Sequence, residues 1–69
     1  MRIVGIDCGT EKTGYGVIES DGRSHQFISA GVIRTKASYP LEHRLVHIAG
    51  ELRSVLANFR PRVVSVEEV

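Results

Sequence analysis

At 69 residues, 42% hydrophobic and 25% charged, the chain has room for one small domain with a modest core. This balance excludes fibrous, disordered and disulfide-stapled classes. The single Cys8 rules out an internal disulfide and agrees with a reducing compartment. A net charge of +1 implies neither nucleic acid nor membrane, so any such partner must be argued from a site. No apolar run approaches the ~20 residues of a membrane helix. Met1-Arg2-Ile3-Val4-Gly5 enters an apolar strand directly, without the apolar core of a signal peptide, so a cytoplasmic location is expected.

Residues 2–8, rich in β-branched side chains and stopped by Gly9, read as a first strand. Residues 13–20 read as a second. Asp21-Gly22 then signals a hairpin, since both turn positions tolerate positive φ. A third strand is expected from about Ser24 to Thr35, with an irregularity near Gly31. After a short loop, Leu41, Leu45, Ile48, Leu52, Val55 or Leu56, and Phe59 recur at helical steps. Pro40 suits the first helical turn, Glu42 lies near the positive end of the dipole, and Pro61 closes the helix. Residues 62–67 are the last strand. The layout is α/β: a mixed sheet in the order 3-2-1-4, with one right-handed crossover helix bringing the last strand parallel to the first.

Val63, Val64 and Val66 place apolar side chains on both faces of that last strand, as in a parallel strand covered on both sides. One helix covers only one face. The sequence therefore asks for more chain, or a partner, and a fragment is expected.

Parallel neighbours bring their C-terminal ends to one sheet edge, where α/β proteins place ligands. Asp7 ends the first strand and Glu67 the last. By alternation Ile3, Gly5 and Asp7 share a face with Val63, Ser65 and Glu67, while Glu68 points away. Oxygen ligands without His or Cys suit Mg²⁺ or Mn²⁺ rather than Zn²⁺. Two-metal phosphoryl transfer draws on more acids than these two. Spacing alone leaves open a plainer reading, in which Asp7 caps a turn and Glu67 is a solvated strand end. Gly9-Thr10-Glu11-Lys12-Thr13-Gly14 is a Gly-bounded turn whose N–H groups and Lys12 can face a phosphate. Asp-x-Gly-Thr also opens the phosphate-binding hairpin of actin-like ATPases and sugar kinases, the main rival reading.

Four blocks in order carry a family resemblance: Gly5-Ile6-Asp7-Cys8-Gly9-Thr10, Thr13-Gly14-Tyr15-Gly16-Val17-Ile18, Gly31-Val32-Ile33-Arg34-Thr35, and Val66-Glu67-Glu68-Val69. Together they resemble the RuvC family of Holliday junction resolvases along the whole chain. The second and third blocks are the specific ones and argue against the ATPase reading. The resemblance implies a ribonuclease-H-like fold, with residues 1–69 the N-terminal portion of a single nuclease domain, truncated before a fifth strand and C-terminal helices. It implies Mg²⁺-dependent nicking of four-way DNA junctions in recombination and repair, with Mn²⁺ able to substitute. A homodimer and branch-migration proteins are the implied partners. By position Asp7 and Glu67 match the first and second catalytic, metal-binding carboxylates. Two further acids of the family lie beyond this chain, which alone is expected to be inactive: a fragment that binds DNA weakly or only self-associates. Cys8 stands where the family usually has Pro and is expected to pack as a small apolar residue opposite Asp7.

Thr10, Lys12, Arg34 and Lys36 are the candidate DNA-phosphate contacts. Arg34, Lys36 and Arg44 surround the loop into the helix, where a generic charged surface is the competing account. His43 and His47 lie four apart on the helix but lack a third metal ligand, so a solvated face is expected. Tyr15 is expected to pack rather than stack on a base, and Arg60 and Arg62 to lie away from the active edge.

Overall fold

The computed structural model describes residues 1–9 and 11–67. Alternation along β1 (Arg2–Asp7) puts buried Val4 and Ile6 on one face and Ile3, Gly5 and Asp7 on the other. β2 (Lys12–Ser20) runs antiparallel beside it, pairing Val17 with Val4 and Tyr15 with Ile6, so the same face continues across. β3 (His25–Arg34) adds on the far side of β2. After helix α1 (Leu41–Phe59), β4 (Val63–Glu67) returns parallel to β1. The order is β3-β2-β1-β4, as the element pattern requires.

Val4, Ile6 and Val17 form the core, with Tyr15, Ile28, Leu52, Leu56 and Phe59 packed against them. Each such apolar side chain contributes about 1.5–3 kcal/mol when fully buried. Arg2 fastens the end of the helix to β1, its Nη1 donating to the Phe59 carbonyl at 3.0 Å. Arg60 ends α1 in the left-handed region (φ 49°), and its N–H donates to the Leu56 carbonyl at 2.9 Å. Pro61, without an N–H, cannot continue the helix. Among the described residues, no helix is long and apolar enough to cross a membrane.

Several details differ from the sequence expectation. The strand irregularity sits at Ile28, not Gly31: pairing passes from Val17–Ser29 to Ile18–Phe27, leaving Ile28 as the extra residue. This bulge lets Ile28 join the core while Phe27 stays 71% exposed. Gly31 is in regular register with Tyr15, and a Cβ there would lie 2.5 Å from the tyrosine Oη. The glycine therefore makes room for the ring.

At the hairpin only Gly22 takes positive φ (95°). Asp21 instead accepts the N–H groups of Ser24 (2.7 Å) and Arg23 (2.8 Å), spreading the turn over residues 21–24. These two bonds, that from Ser24 foremost, hold its carboxyl below the ordinary range. A lowered folded-state value stabilises the fold above the ordinary carboxyl range and is lost as pH falls through the folded value. Asp21→Asn should therefore lower the unfolding midpoint near neutral pH, with the difference from wild type closing below about pH 4. Urea titrations across that range check this.

Pro40 precedes the first helical turn rather than lying in it. Its backbone is extended (ψ 145°), and its carbonyl accepts the N–H groups of His43 and Arg44, both at 3.1 Å. The helical stripe is not buried along its whole length. Leu52, Val55, Leu56 and Phe59 are buried or half-buried, whereas Leu41 (48%) and Leu45 (52%) remain exposed. The helix residues packed against the core, Leu52, Leu56 and Phe59, all lie in its C-terminal half. Every residue of β4 is exposed, including Val64 and Val66, which their pairing with Val4 and Ile6 puts on the helix-bearing face.

Candidate active site

The face of the sheet away from α1 carries the acidic pair. In the parallel register Asp7 pairs directly with Glu67, Gly5 with Ser65 and Ile3 with Val63. Adjacent strands lie about 4.8 Å apart, so carboxylates at one register position share a face and an edge. Both side chains are exposed. The Cys8 N–H donates to the Glu67 carbonyl at 3.3 Å, carrying the pairing one step past the acids.

The ground beside the pair is open. Gly14 and Gly16 of β2 pair with Asp7 and Gly5 on this face, and a Cβ added at Gly5, Gly14 or Gly16 would meet nothing within 4 Å. Together with Ser65 they floor a shallow depression of about 280 Å³ rimmed by Asp7 and Glu67. Gly5 and Ser65 each stand two residues before an acid on the same face. Gly14 and Gly16 extend this floor, and glycine at alternate positions of a strand is the sequence signal of a face without side chains. Among the described residues, no three metal-ligating side chains cluster.

Behind Asp7, the loop into β2 is closed from within. Buried Thr13 donates its hydroxyl to the Gly9 carbonyl at 2.8 Å and accepts the Gly9 N–H at 3.5 Å. A Cβ at Gly9 would collide with the Lys12 carbonyl oxygen, so this turn admits only glycine without rearrangement. Cys8 is exposed rather than packed as a small apolar residue. It lies at the strand end, beyond the reach of the core.

Lys12, Arg34 and Lys36 do come together, but not at the acidic depression. Lys12 pairs with Arg34 across β2 and β3, and with Lys36 they line a separate groove of about 740 Å³ against the N-terminal half of α1. His43 and His47 are exposed as expected, yet they face this groove with Arg44. Their proximity to the strand cations depends on where the helix crosses, which periodicity does not reveal. Tyr15 packs against the core. Arg60 and Arg62 sit at the opposite edge, where the Arg62 N–H donates to the Arg2 carbonyl at 2.8 Å. Thr10 and Glu68 lie outside the described residues.

Comparison with known proteins sharpens this picture. Residues 3–69 match the family model described as "Crossover junction endodeoxyribonuclease RuvC". A protein of that name from Koribacter versatilis is 47% identical over the whole chain, which spans 42% of that relative. The structure described as "T. thermophilus RuvC in complex with Holliday junction substrate" matches with a TM-score of 0.91 and 32% identity, covering 99% of this chain and 42% of that one. An Aquifex aeolicus PPX-GPPA enzyme matches 99% of this chain and 26% of its own, with a TM-score of 0.75 at 12% identity, a likeness of fold alone. The fold is thus the ribonuclease-H-like one, and the chain spans about two fifths of the RuvC proteins it matches. With the family model covering nearly every residue, the chain belongs to the RuvC family of crossover junction endodeoxyribonucleases.

Proposed function

We propose that these 69 residues are the N-terminal portion of a single nuclease domain that nicks four-way DNA junctions. Asp7 and Glu67 are its catalytic, metal-binding carboxylates. The observation that carries this reading is the direct Asp7–Glu67 pairing on an open sheet face in a chain of this family.

The donor set fits a hard divalent cation. Both side chains are carboxylates, no His lines the depression, and the floor of glycine and Ser65 leaves room for water to complete the coordination. Mg²⁺ is the expected ion, with Mn²⁺ able to replace it. When bound, the ion supplies Lewis-acid stabilisation of charge on phosphate oxygens and lowers the pKa of a coordinated water. The residues themselves supply position. Asp7 ends an interior strand paired on both sides, so the backbone that carries it is rigid. The side-chain-free floor admits a bulky phosphodiester next to the acids.

Two carboxylates are half of what such a site normally draws on, so the chain by itself is not expected to cleave. The full-length protein would act as a homodimer in recombination and repair, in the cytoplasm and alongside branch-migration proteins. Thr10, Lys12, Arg34 and Lys36 would contact DNA phosphates. Removing metal is the direct test. Full-length protein treated with EDTA should lose junction nicking entirely while still shifting junction DNA in a gel, and added Mg²⁺ or Mn²⁺ should restore nicking. Undiminished nicking under chelation would refute the metal role.

A further inference from the structure

Thr13 puts a polar side chain where an apolar one would serve the fold as well. It is 1% exposed. Alternation sets it on the helix-bearing face of β2 in line with Val17, and its partner across the strands is buried Ile33. Valine has the same branched shape and suits such a strand position equally. A buried hydroxyl costs free energy unless it is hydrogen-bonded, so its partners identify its task. Both belong to Gly9: the hydroxyl donates to the Gly9 carbonyl at 2.8 Å and accepts the Gly9 N–H at 3.5 Å.

Gly9 lies two residues past Asp7, where the strand ladders run out. Pairing of β1 with β2 ends at Asp7–Gly14, and the register with β4 ends at Asp7–Glu67. One further bond, from the Cys8 N–H to the Glu67 carbonyl at 3.3 Å, joins the acid-bearing strands beyond that point. It is longer than the usual N–H···O bond, so it holds only while the chain after Asp7 keeps its course. The Thr13 hydroxyl fixes that course from behind, acting as a strand neighbour for Gly9. The far side of the loop is anchored as well, because the Thr35 N–H donates to the Glu11 carbonyl at 2.9 Å. Glu67 ends a strand that is exposed throughout and pairs, among the described strands, with β1 alone. Its place relative to Asp7 therefore depends on this junction.

We propose that Thr13 is a positioning residue for the acid pair. Through Gly9 and the Cys8–Glu67 bond, its hydroxyl sets the spacing of the Asp7 and Glu67 carboxylates and thereby their hold on a divalent cation. The proposal rests on the metal-binding reading of the two acids and adds a residue that touches neither metal nor DNA. Mg²⁺ tolerates little departure from octahedral geometry. A strand end free to drift thus weakens metal binding before it weakens folding.

The test uses full-length protein, with Mn²⁺ binding followed by electron paramagnetic resonance beside single-turnover nicking. Thr13→Val keeps the shape and removes the hydroxyl. It should weaken Mn²⁺ binding and slow nicking at limiting metal, each by about tenfold or more, as loss of a supporting partner behind a metal ligand does. Junction affinity should stay unchanged. Thr13→Ser restores the hydroxyl and should restore both readouts. Val17→Ala, a core substitution on the same strand face, should lower the urea midpoint while leaving Mn²⁺ affinity as in wild type. Wild-type Mn²⁺ affinity in Thr13→Val overturns the proposal. So does a Thr13→Ser protein as impaired as Thr13→Val, or a Val17→Ala protein that loses Mn²⁺ equally. Hydrogen exchange in the wild-type protein covers the case in which Thr13→Val does not fold: slow exchange of the Cys8 amide is expected, and exchange as fast as in an open loop removes the clamp. If wild type binds no Mn²⁺ and nicks in EDTA, the metal reading itself falls and takes the clamp with it. Unaltered Mn²⁺ binding in Thr13→Val removes the clamp alone.

Discussion

Asp7→Asn in the full-length protein is expected to lower junction nicking about a thousandfold or more while leaving junction affinity within a few-fold of wild type. Asparagine keeps the shape of the side chain and removes its charge. A carboxylate that helps hold a divalent cation accounts for several kcal/mol of transition-state stabilisation, and about 4 kcal/mol corresponds to three decades in rate. Affinity should not fall, because a negative charge beside a phosphate opposes binding. Glu67, the direct strand partner of Asp7, should behave alike as Glu67→Gln. The double substitution should cost little more than either alone, since groups that act as one unit are not additive. Single-turnover nicking with saturating junction reads this directly. Appreciable nicking by Asp7→Asn would remove Asp7 from the catalytic site.

The second large effect comes from a residue without a side chain. Gly9→Ala places a methyl group against the Lys12 carbonyl oxygen, a backbone atom that cannot swing aside. The loop must shift, and with it the two hydrogen bonds between Gly9 and Thr13. A loss of about 2–3 kcal/mol in folding stability is expected from such overpacking. Nicking should fall as well, because Asp7 lies two residues upstream of the displaced turn. Gly16→Ala is the informative control. Its Cβ enters open space, so stability should change by less than about 1 kcal/mol, while the methyl group intrudes on the floor of the depression. Urea unfolding midpoints separate the two, and a Gly9→Ala protein as stable as Gly16→Ala would show that the turn adapts.

The acidic site was largely legible before any coordinates. Asp7 and Glu67 each close an apolar strand, and alternation with a single parallel crossover is enough to set them side by side. The register Gly5–Ser65 and Asp7–Glu67 is what those two rules dictate. The groove was not legible in the same way. Arg34, Lys36 and Arg44 are expected around one loop and Lys12 as a phosphate contact, but that Lys12, His43 and His47 meet them in one groove is not, since these residues are separated by up to 35 positions. They form a concavity because β3 delivers the chain to the edge where α1 begins.

The sequence alone determined the order of elements, the mixed sheet and the meeting of the two acids, since these follow from side-chain periodicity and strand connectivity, which are local properties. Only the tertiary structure decided what depends on where one element lies across another. The bulge falls at Ile28 because that side chain is drawn into the core, while Gly31 is spent on accommodating Tyr15. Leu41 and Leu45 stay exposed although they fit the helical stripe, because the core is packed against the C-terminal half of the helix, at Leu52, Leu56 and Phe59. Cys8 is exposed because the strand has already ended. Burial is a relation between surfaces that are distant in the chain, and no pattern within one segment contains it.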